Sequence, residues 1–293
     1  MQIADKWKEF ELIDAGNGEK LERWGKYILR RPDPQAIWPV KCSEKQWEKV
    51  HAFYHRSRDG GGSWEYRAQL PERWTIKYGD LSFYIQPTGF KHTGLFPEQA
   101  VNWEWIINII KQGFKRGYKE IRVLNLFAYT GGATVAAAYA GAEVCHVDAA
   151  KGMVTRAKEN LALSGLGDRK VRFIVDDVVK FTQREKRRGR LYEGIIMDPP
   201  SYGRGPSGEM WKVEDDLYDL VELCTDILSE NPLFFLINTY TTGLSPIVLR
   251  NILKLSVMSK YGGRVYEDEI GLPITSSGLV LPCGAFGRWE GGN

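Results

Sequence analysis

The stretch VLNLFAYTGGAT, from Val123 to Thr134, joins an apolar run of buried-strand type to a glycine turn, and an alanine-rich helix pattern follows it. Gly131 and Gly132 allow the backbone to turn sharply and a ligand to come close. Free N–H groups at the start of the helix favour an anionic or polar group of that ligand. A tight turn without a ligand is the alternative. The fingerprints G-x-G-x-x-G and G-x-x-x-x-G-K-[ST] are absent here, which disfavours a dinucleotide site and a P-loop.

Strand and helix patterns alternate around this stretch, from residue 100 to the C-terminus. The predicted strands are 120–128, 142–148, 171–177, 192–200 and 232–240, and the last residues form a strand pair. The predicted helices are 100–114, 150–163, 213–228 and 245–262. Alternation at this spacing predicts the α/β class, with a doubly wound, mostly parallel sheet covered by helices on both faces.

The first part of the chain has a different pattern. It predicts a small α+β domain over residues 1–89, which could bind a substrate, ahead of a ligand-binding domain over residues 90–293. The segment RWTIKYGDLSFYIQP, residues 73–87, alternates around Gly79-Asp80 as a hairpin does. The segment QWEKVHAFYHRSR, residues 46–58, predicts a helix that ends at a flexible, glycine-rich break over residues 59–63.

Acidic residues follow the second and third strands of the predicted sheet. Asp148 ends the second strand, where its carboxylate can accept hydrogen bonds from both hydroxyls of a ribose. Asp176 and Asp177 end the third strand, and one of them can accept a hydrogen bond from an adenine amino group. Each aspartate alone could instead cap the following helix. Together with the glycine turn, they favour a cofactor that contains a nucleoside.

The fourth strand ends in the most specific segment of the chain, Asp198-Pro199-Pro200-Ser201-Tyr202. Two prolines make the loop rigid and remove two backbone donors, which leaves its carbonyls free to accept hydrogen bonds. The Asp198 carboxylate and a carbonyl of one of the prolines can hold an amino group and direct its lone pair at a methyl donor. Tyr202 can stack on a planar base, an interaction worth roughly 1–3 kcal/mol. A simple strand-terminating turn is the alternative.

The bulk composition is that of an ordinary globular protein without an N-terminal apolar signal segment or a run long enough to span a membrane. The four scattered cysteines suit a reduced, cytoplasmic location and predict neither a disulfide framework nor a metal site. The net charge of +3 permits a nucleic-acid partner without requiring one. The basic run at 184–190 could contact phosphates, but a solvated helix end is the favoured interpretation, and Arg204 is better placed for a phosphate.

These segments resemble a known family. VLNLFAYTGGAT, HVDAAK, VDDV and MDPPSYGRG, in this order, look like the first four motifs of class I S-adenosylmethionine methyltransferases, and most of all like those of the bacterial 23S rRNA large-subunit methyltransferase group. GFKHTGLFPEQAVNW, residues 89–103, is similar to the group's KTG-x-x-x-x-Q segment. The resemblance covers roughly residues 73 to 293. It implies S-adenosylmethionine as the cofactor and a seven-stranded, Rossmann-like sheet.

The resemblance also implies roles for individual residues. Thr130, Gly131 and Gly132 wrap the methionine part of the cofactor, Asp148 holds the ribose, and Asp177, in preference to Asp176, meets the adenine amino group. Further cofactor contacts are Tyr129, Ala149 and Asp198, with Lys91, Thr93 and Gln99 on the N-terminal side. Asp198 and Pro199 face the transferred methyl group, and Tyr202 completes the predicted catalytic set.

The predicted function is N-methylation of a base in RNA, with ribosomal RNA as the favoured partner. The group's N-terminal RNA-binding PUA domain has no counterpart in this sequence, which keeps a methyltransferase for small molecules or proteins as an alternative. A cofactor-binding protein without catalysis is a further alternative, and the intact DPP loop argues against it. Cytosine-C5 methylation is disfavoured because it needs a thiolate nucleophile, and neither the fourth-strand loop nor the fifth-strand end contains cysteine. The oligomeric state stays open.

Overall fold

The computed structural model describes residues 1–57, 61–89, 91–204, 210–240 and 243–292. The chain folds into two compact units, each built from two segments. The N-terminal unit comprises Met1–Val101 and Ile270–Cys283, and the α/β unit comprises Asn102–Glu269 and Gly284–Asn293. No helix in the described ranges is both long and apolar enough to cross a bilayer.

The N-terminal unit is rich in antiparallel strands. Its strands are β1 (Gln2–Ile3), β2 (Phe10–Gly16), β3 (Glu19–Trp24), β4 (Tyr27–Pro32), β5 (Ala52–Arg56), β6 (Gly62–Tyr66), β7 (Trp74–Tyr78) and β8 (Leu81–Ile85), and its short helix is α1 (Glu44–Glu48). Strands β2 to β6 form one sheet in chain order, and β7 and β8 form a separate hairpin. The hairpin predicted around Gly79 is therefore confirmed.

The helix predicted over residues 46–58 is wrong. Helix α1 ends at Glu48, and strand β5 begins at Ala52. Residues 52–54 alternate between buried and partly buried positions, and β5 pairs with β4 on one side and β6 on the other. Pairing on both sides overrode the local helical pattern, because ladder hydrogen bonds and cross-strand packing decide strand formation. Of the predicted flexible break, residues 59 and 60 lie outside the described residues, and Gly62 and Ser63 belong to β6.

The α/β unit follows the predicted alternation. Its elements are α2 (Ala100–Lys115, which starts in the N-terminal unit), β9 (Arg122–Leu126), α3 (Gly132–Tyr139), β10 (Glu143–Asp148), α4 (Lys151–Leu163), β11 (Val171–Val175), α5 (Val178–Arg187), β12 (Gly194–Met197), β13 (Tyr202–Arg204), β14 (Met210–Lys212), α6 (Val213–Thr225), β15 (Phe234–Thr239), α7 (Pro246–Leu253), a π-helical turn (Lys254–Met258), α8 (Ser259–Tyr261), β16 (Arg264–Pro273) and β17 (Val280–Glu290).

One sheet organises this unit, in the order β16-β17-β15-β12-β9-β10-β11. The five strands from β15 to β11 run parallel, and β17 is antiparallel to β15. Every residue of β12 and β15 is buried, as expected for central strands covered on both faces. The predicted seven-stranded, mostly parallel sheet is confirmed. The two-residue strand β1 pairs with β16 and so extends the sheet by one strand. The part of β16 that it contacts belongs to the N-terminal unit.

The sequence interpretation missed the small antiparallel hairpin of β13 and β14, which directly follows the DPP loop. Three-residue strands in a polar, glycine-containing segment give almost no periodic signal.

Candidate active site

The predicted site residues of the α/β unit follow β9, β10, β11 and β12 at one edge of the sheet. Leu126, the last residue of β9, lies beside Val147 of β10 and Met197 of β12. Because these strands are parallel, the loops that follow them meet at the carboxyl edge. The chain leaves β9 for β10 on one side, and β12 lies on the other side. This is the topological switch point at which open α/β sheets bind ligands.

The loop after β9 has an unusual backbone. Phe127, Tyr129 and Gly131 all have positive φ, at 52°, 49° and 84°. An L-residue in this region costs about 1–2 kcal/mol, so the surrounding structure must hold the two aromatic residues there. Two hydrogen bonds contribute: Ala128 N–H donates to the Val147 carbonyl (3.1 Å), and Tyr129 N–H donates to the Asp148 carboxylate (2.8 Å). Nothing in the sequence indicated this conformation.

Gly131 and Gly132 are required by close packing as well as by the turn. A Cβ on Gly131 would lie 2.8 Å from the Ala157 Cβ, and one on Gly132 would lie 2.8 Å from the Trp103 ring. Both contacts are shorter than side chains tolerate, so the turn lies tightly between α4 and α2. The Asn160 side chain also donates to the Thr130 carbonyl (2.9 Å). These contacts fix the path of the turn.

Asp148 lies half-buried at the centre of this edge. One carboxylate oxygen accepts from Tyr129 N–H and the other from Ala150 N–H, both at 2.8 Å. Burial raises the pKa of Asp148 above its usual value, and the two hydrogen bonds only partly oppose this shift. Each oxygen keeps a lone pair beyond the one it uses. Two neighbouring hydroxyl donors could therefore bind here, and contact of Asp148 with a ribose stays a prediction. Ala149, beside it, is exposed.

Asp176 and Asp177 both have protein partners. Asp177 caps α5, with its carboxylate accepting from Lys180 N–H at 2.9 Å. Asp176 forms an ion pair with Arg184 and accepts from the Asp177 N–H, and its own N–H donates to the Asp148 carbonyl. The capping alternative therefore describes Asp177. Contact of either residue with an adenine group stays a prediction.

The DPP loop is fixed by a tryptophan that the sequence interpretation did not select. Trp211, on β14, donates its indole N–H to the Pro200 carbonyl at 2.7 Å. Its ring also lies 5.1 Å from that of Phe127, in the strained loop after β9. Trp211 thus joins the two loops on either side of the switch point. Within the DPP loop, Asp198 is half-buried and Pro199 is buried.

Tyr202 lies in β13, just outside this loop. Its side chain is 52% exposed, and its hydroxyl lies 3.0 Å from the Met210 sulfur. An exposed ring at this position is available to a planar group, so base stacking stays a prediction. The Arg204 side chain lies outside the described part of the chain, and its phosphate contact likewise stays a prediction.

A layer of buried polar side chains lies next to the glycine turn, on β9, α3 and β10. The Thr134 hydroxyl is 2.9 Å from the Asn125 amide nitrogen and 2.9 Å from His146 Nδ1. His146 is fully buried, and burial lowers its pKa to about 3, so the ring is neutral at physiological pH. Sequence reasoning missed this layer because a single buried histidine in a strand carries no positional signal.

The predicted residues of the KTG-like segment belong to the N-terminal unit. Thr93 is fully buried, and its hydroxyl has no hydrogen-bond partner among the described residues. Gln99 is buried within a short 3-10 turn, Pro97–Gln99. The Lys91 carbonyl accepts from the Arg31 guanidinium at 2.8 Å, and burial lowers the pKa of the Lys91 amine. Their contacts with a cofactor stay predictions.

Comparison with known proteins defines the family. The model of the S-adenosylmethionine-dependent methyltransferase family matches residues 30–238, which is more than half of the chain. The chain belongs to this family. The crystal structure of the SAM-dependent methyltransferase from Agrobacterium tumefaciens is similar over 97% of this chain and 91% of that one, with 38% identity and a TM-score of 0.91. The sequence-based family assignment and cofactor are thereby confirmed.

Two bacterial relatives of the methyltransferase share part of its length. The ribosomal RNA large subunit methyltransferase K/L of Shewanella frigidimarina is 35% identical over 159 residues, 54% of this chain and 21% of that protein. Its namesake in Syntrophotalea carbinolica is 27% identical over 187 residues, 63% of this chain and 25% of that protein. The chain thus spans about a quarter or less of the length of these relatives.

The residues of the methyltransferase fit S-adenosylmethionine. Asp148 has acceptor capacity on both oxygens for the two ribose hydroxyls, and the crowded glycine turn brings bare backbone to the edge where the methionine part would lie. The unpartnered Thr93 hydroxyl is a further polar atom in the segment predicted to contact the cofactor. Among the described residues, no group of three histidine, cysteine or acidic side chains could hold a metal ion.

Proposed function

We propose that this methyltransferase transfers a methyl group to a nitrogen atom of a base in RNA, with ribosomal RNA as the substrate. The observation that carries the proposal is the fixed Asp198-Pro199 pair at the switch point. The printed names of the relatives from Shewanella and Syntrophotalea support the substrate class. Ribosomal RNA as the substrate also accords with a cytoplasmic location.

The DPP loop offers two acceptors in a defined place. Trp211 occupies the Pro200 carbonyl, whereas the Pro199 carbonyl accepts no hydrogen bond within the described part of the chain. The Asp198 carboxylate and the Pro199 carbonyl can each accept from an amino N–H, which turns the nitrogen lone pair outward. Bound S-adenosylmethionine supplies a methyl group that is already activated by its sulfonium. Alignment of the methyl group with the acceptor nitrogen is then the main requirement, and correct orientation can lower the activation free energy by roughly 7–11 kcal/mol.

Two features argue for nitrogen rather than cytosine C5 as the acceptor. Methylation at C5 requires a thiolate to form a covalent adduct. The cysteines nearest in sequence to the fourth- and fifth-strand loops are Cys224, which is fully buried within α6, and Cys283, within β17. Burial raises the pKa of both thiols, which disfavours the thiolate.

The domain assignment is part of the same proposal. We place the methyltransferase function in residues 90–293 and substrate contacts in residues 1–89. A small-molecule or protein substrate is the competing function, since the net charge of +3 is modest for an RNA-binding protein.

A methyl-transfer assay tests the function. Purified protein is incubated with tritiated S-adenosylmethionine and, separately, with ribosomal RNA that lacks its modifications, a protein extract and a metabolite fraction. We expect label in the RNA, released on digestion as an N-methylated nucleoside. Label confined to protein or small molecules would refute the RNA substrate, and a C5-methylated pyrimidine would refute the nitrogen acceptor.

A further inference from the structure

A cavity opens at the amino edge of the sheet in the α/β unit, opposite the candidate active site. Its volume is about 320 Å³. The first residues of β9, β10 and β11 line it, together with the segment 190–192 that leads into β12. Ligand pockets start at about this size. The predicted cofactor site lies at the carboxyl edge of the same strands, so the methyl-transfer reaction does not account for this cavity.

Four cationic side chains line the cavity against one acidic side chain, Glu143. They are Arg122, Lys170, Arg172 and Arg190. Arg122 pairs with Glu193 at 2.9 Å, Arg172 contacts Glu185 at 3.4 Å, and Lys170 pairs with Glu143. Arg190 has no carboxylate partner among the described residues. A guanidinium carries five N–H donors, so even the paired arginines keep donors for a second anion.

The inner wall of the cavity is neutral. Val144, Val171 and Leu191 are its apolar lining residues, and Cys145 and Tyr192 complete the uncharged part of the lining. The Tyr192 hydroxyl donates to the buried Glu185 carboxylate at 2.5 Å, which fixes the ring in place. An apolar wall behind a cationic rim suits a ligand with a flat, weakly polar part and an anionic part.

We propose that this cavity binds a nucleotide, with the base against the apolar wall and the phosphate on Arg190 and Arg172. The inference rests on the proposed function, because an RNA substrate brings nucleotides beyond the one that is methylated. The source favoured by the surroundings is RNA, since Arg187 and Arg188 continue the cationic surface past the rim at the end of α5. A free mononucleotide would use the same chemistry.

Matched charge reversals test the site. Arg190→Glu changes the rim, and Arg264→Glu makes the same change at an exposed arginine in β16 that neither lines the cavity nor belongs to the cationic surface beside it. Binding of a fluorescein-labelled 20-nucleotide RNA is measured by anisotropy, and binding of AMP by calorimetry. We expect Arg190→Glu to weaken RNA binding by at least 10-fold and Arg264→Glu by less than 3-fold. Filling the cavity with Leu191→Trp should reproduce the larger loss.

The outcomes separate the two nucleotide sources. Arg190-dependent binding of RNA without measurable AMP binding assigns the site to the RNA substrate, and Arg190-dependent binding of AMP at low micromolar concentration assigns it to a free nucleotide. Equal losses for the two arginine variants, or full RNA and AMP binding by Leu191→Trp, would overturn the proposal. Unchanged affinity for S-adenosylmethionine shows that each variant is folded. Absence of methyl transfer to RNA by the parent protein contradicts the proposed function instead, independently of these affinities.

Discussion

The two edges of one sheet in the α/β unit carry opposite chemistry. At the carboxyl edge, acidic side chains follow the strands and the backbone adopts left-handed conformations at Phe127 and Tyr129. At the amino edge, arginine and lysine side chains surround a cavity, and the strands begin with ordinary extended backbone. The same strands therefore end in acids at the proposed cofactor site and begin among bases at the proposed nucleotide cavity.

Helix direction contributes to this division at α5. In a βαβ unit each helix starts near the carboxyl edge and ends near the amino edge, so its positive and negative dipole ends face opposite sides. Asp177 caps the start of α5, whereas Arg184, Lys186 and Arg187 occupy its last turn. Acids are favoured at helix starts and bases at helix ends by typically 0.3–1 kcal/mol each. Topology thus distributes the charge before any ligand is considered.

The largest expected effect comes from Asp198→Ala at the carboxyl edge. Loss of the acceptor should lower turnover by about 10²–10³-fold, the size seen when one fixed polar group is removed from an active site. Affinity for S-adenosylmethionine should change by less than about 3-fold, because one of its several contacts is lost. Single-turnover transfer and calorimetry measure the two quantities.

Asp219→Ala is the matched control for this change, because Asp219 is an exposed acid on α6. It should leave both quantities at the parent values. Equal losses of turnover and cofactor affinity in the Asp198 variant would contradict its role at the transferred methyl group.

The second prediction separates crowding from backbone conformation at the glycine turn. Gly131→Ala adds a Cβ that lies 2.8 Å from Ala157 at φ 84°, while Gly165→Ala adds one in open space at φ 71°. Both lose roughly 1–2 kcal/mol of unfolding free energy from the left-handed conformation. Gly131→Ala should lose about 1–3 kcal/mol more from overpacking. Urea unfolding of both variants measures the difference, and equal losses would show that the turn is loosely packed.

The third prediction concerns pH and the buried His146 behind the carboxyl edge. Its folded pKa, about 3, is below the unfolded value of 6.5, so protons bind preferentially to the unfolded chain. The contribution of the neutral His146 ring to the unfolding free energy is complete above pH 6.5 and is lost as the pH falls toward 3. The unfolding free energy should fall by up to about 1.4 kcal/mol per pH unit from this residue.

His146→Gln is the comparison for this effect, because it removes the titrating ring. Urea unfolding at pH 7, 6 and 5 should show a shallower pH dependence in the variant than in the parent protein. Burial also lowers the pKa of His92, to about 4, and that contribution remains in both proteins. Parallel pH profiles would refute the assignment to His146.

The smallest expected effect is that of Trp211→Phe, which keeps a ring against Phe127 and removes the indole donor to Pro200. One hydrogen bond contributes about 0.5–1.5 kcal/mol, which corresponds to a 2–10-fold change. We expect this loss in turnover, with little change in affinity for the cofactor. Steady-state kinetics measure it. A larger loss of cofactor affinity than of turnover would mean that Trp211 supports the glycine turn instead of the DPP loop.

The sequence predicted the sheet and most of the candidate residues because their signals are local. Buried runs such as residues 123–127 and 234–239 indicate central strands, and the glycine, aspartate and proline motifs follow strand ends at fixed places. The helix predicted over residues 46–58 failed because its outcome depended on partners distant in sequence, β4 and β6. A local pattern cannot contain that information.

By itself, the amino-acid sequence determined the family, the cofactor and the α/β class of the sheet. Tertiary structure alone decided the left-handed backbone of Phe127 and Tyr129, the Trp211 contact with Pro200, and the cationic cavity at the amino edge. The reason is physical: periodicity and turn chemistry act between neighbouring residues. Strained backbone conformations, contacts that fix a loop and cavities arise only when segments far apart in the chain pack together.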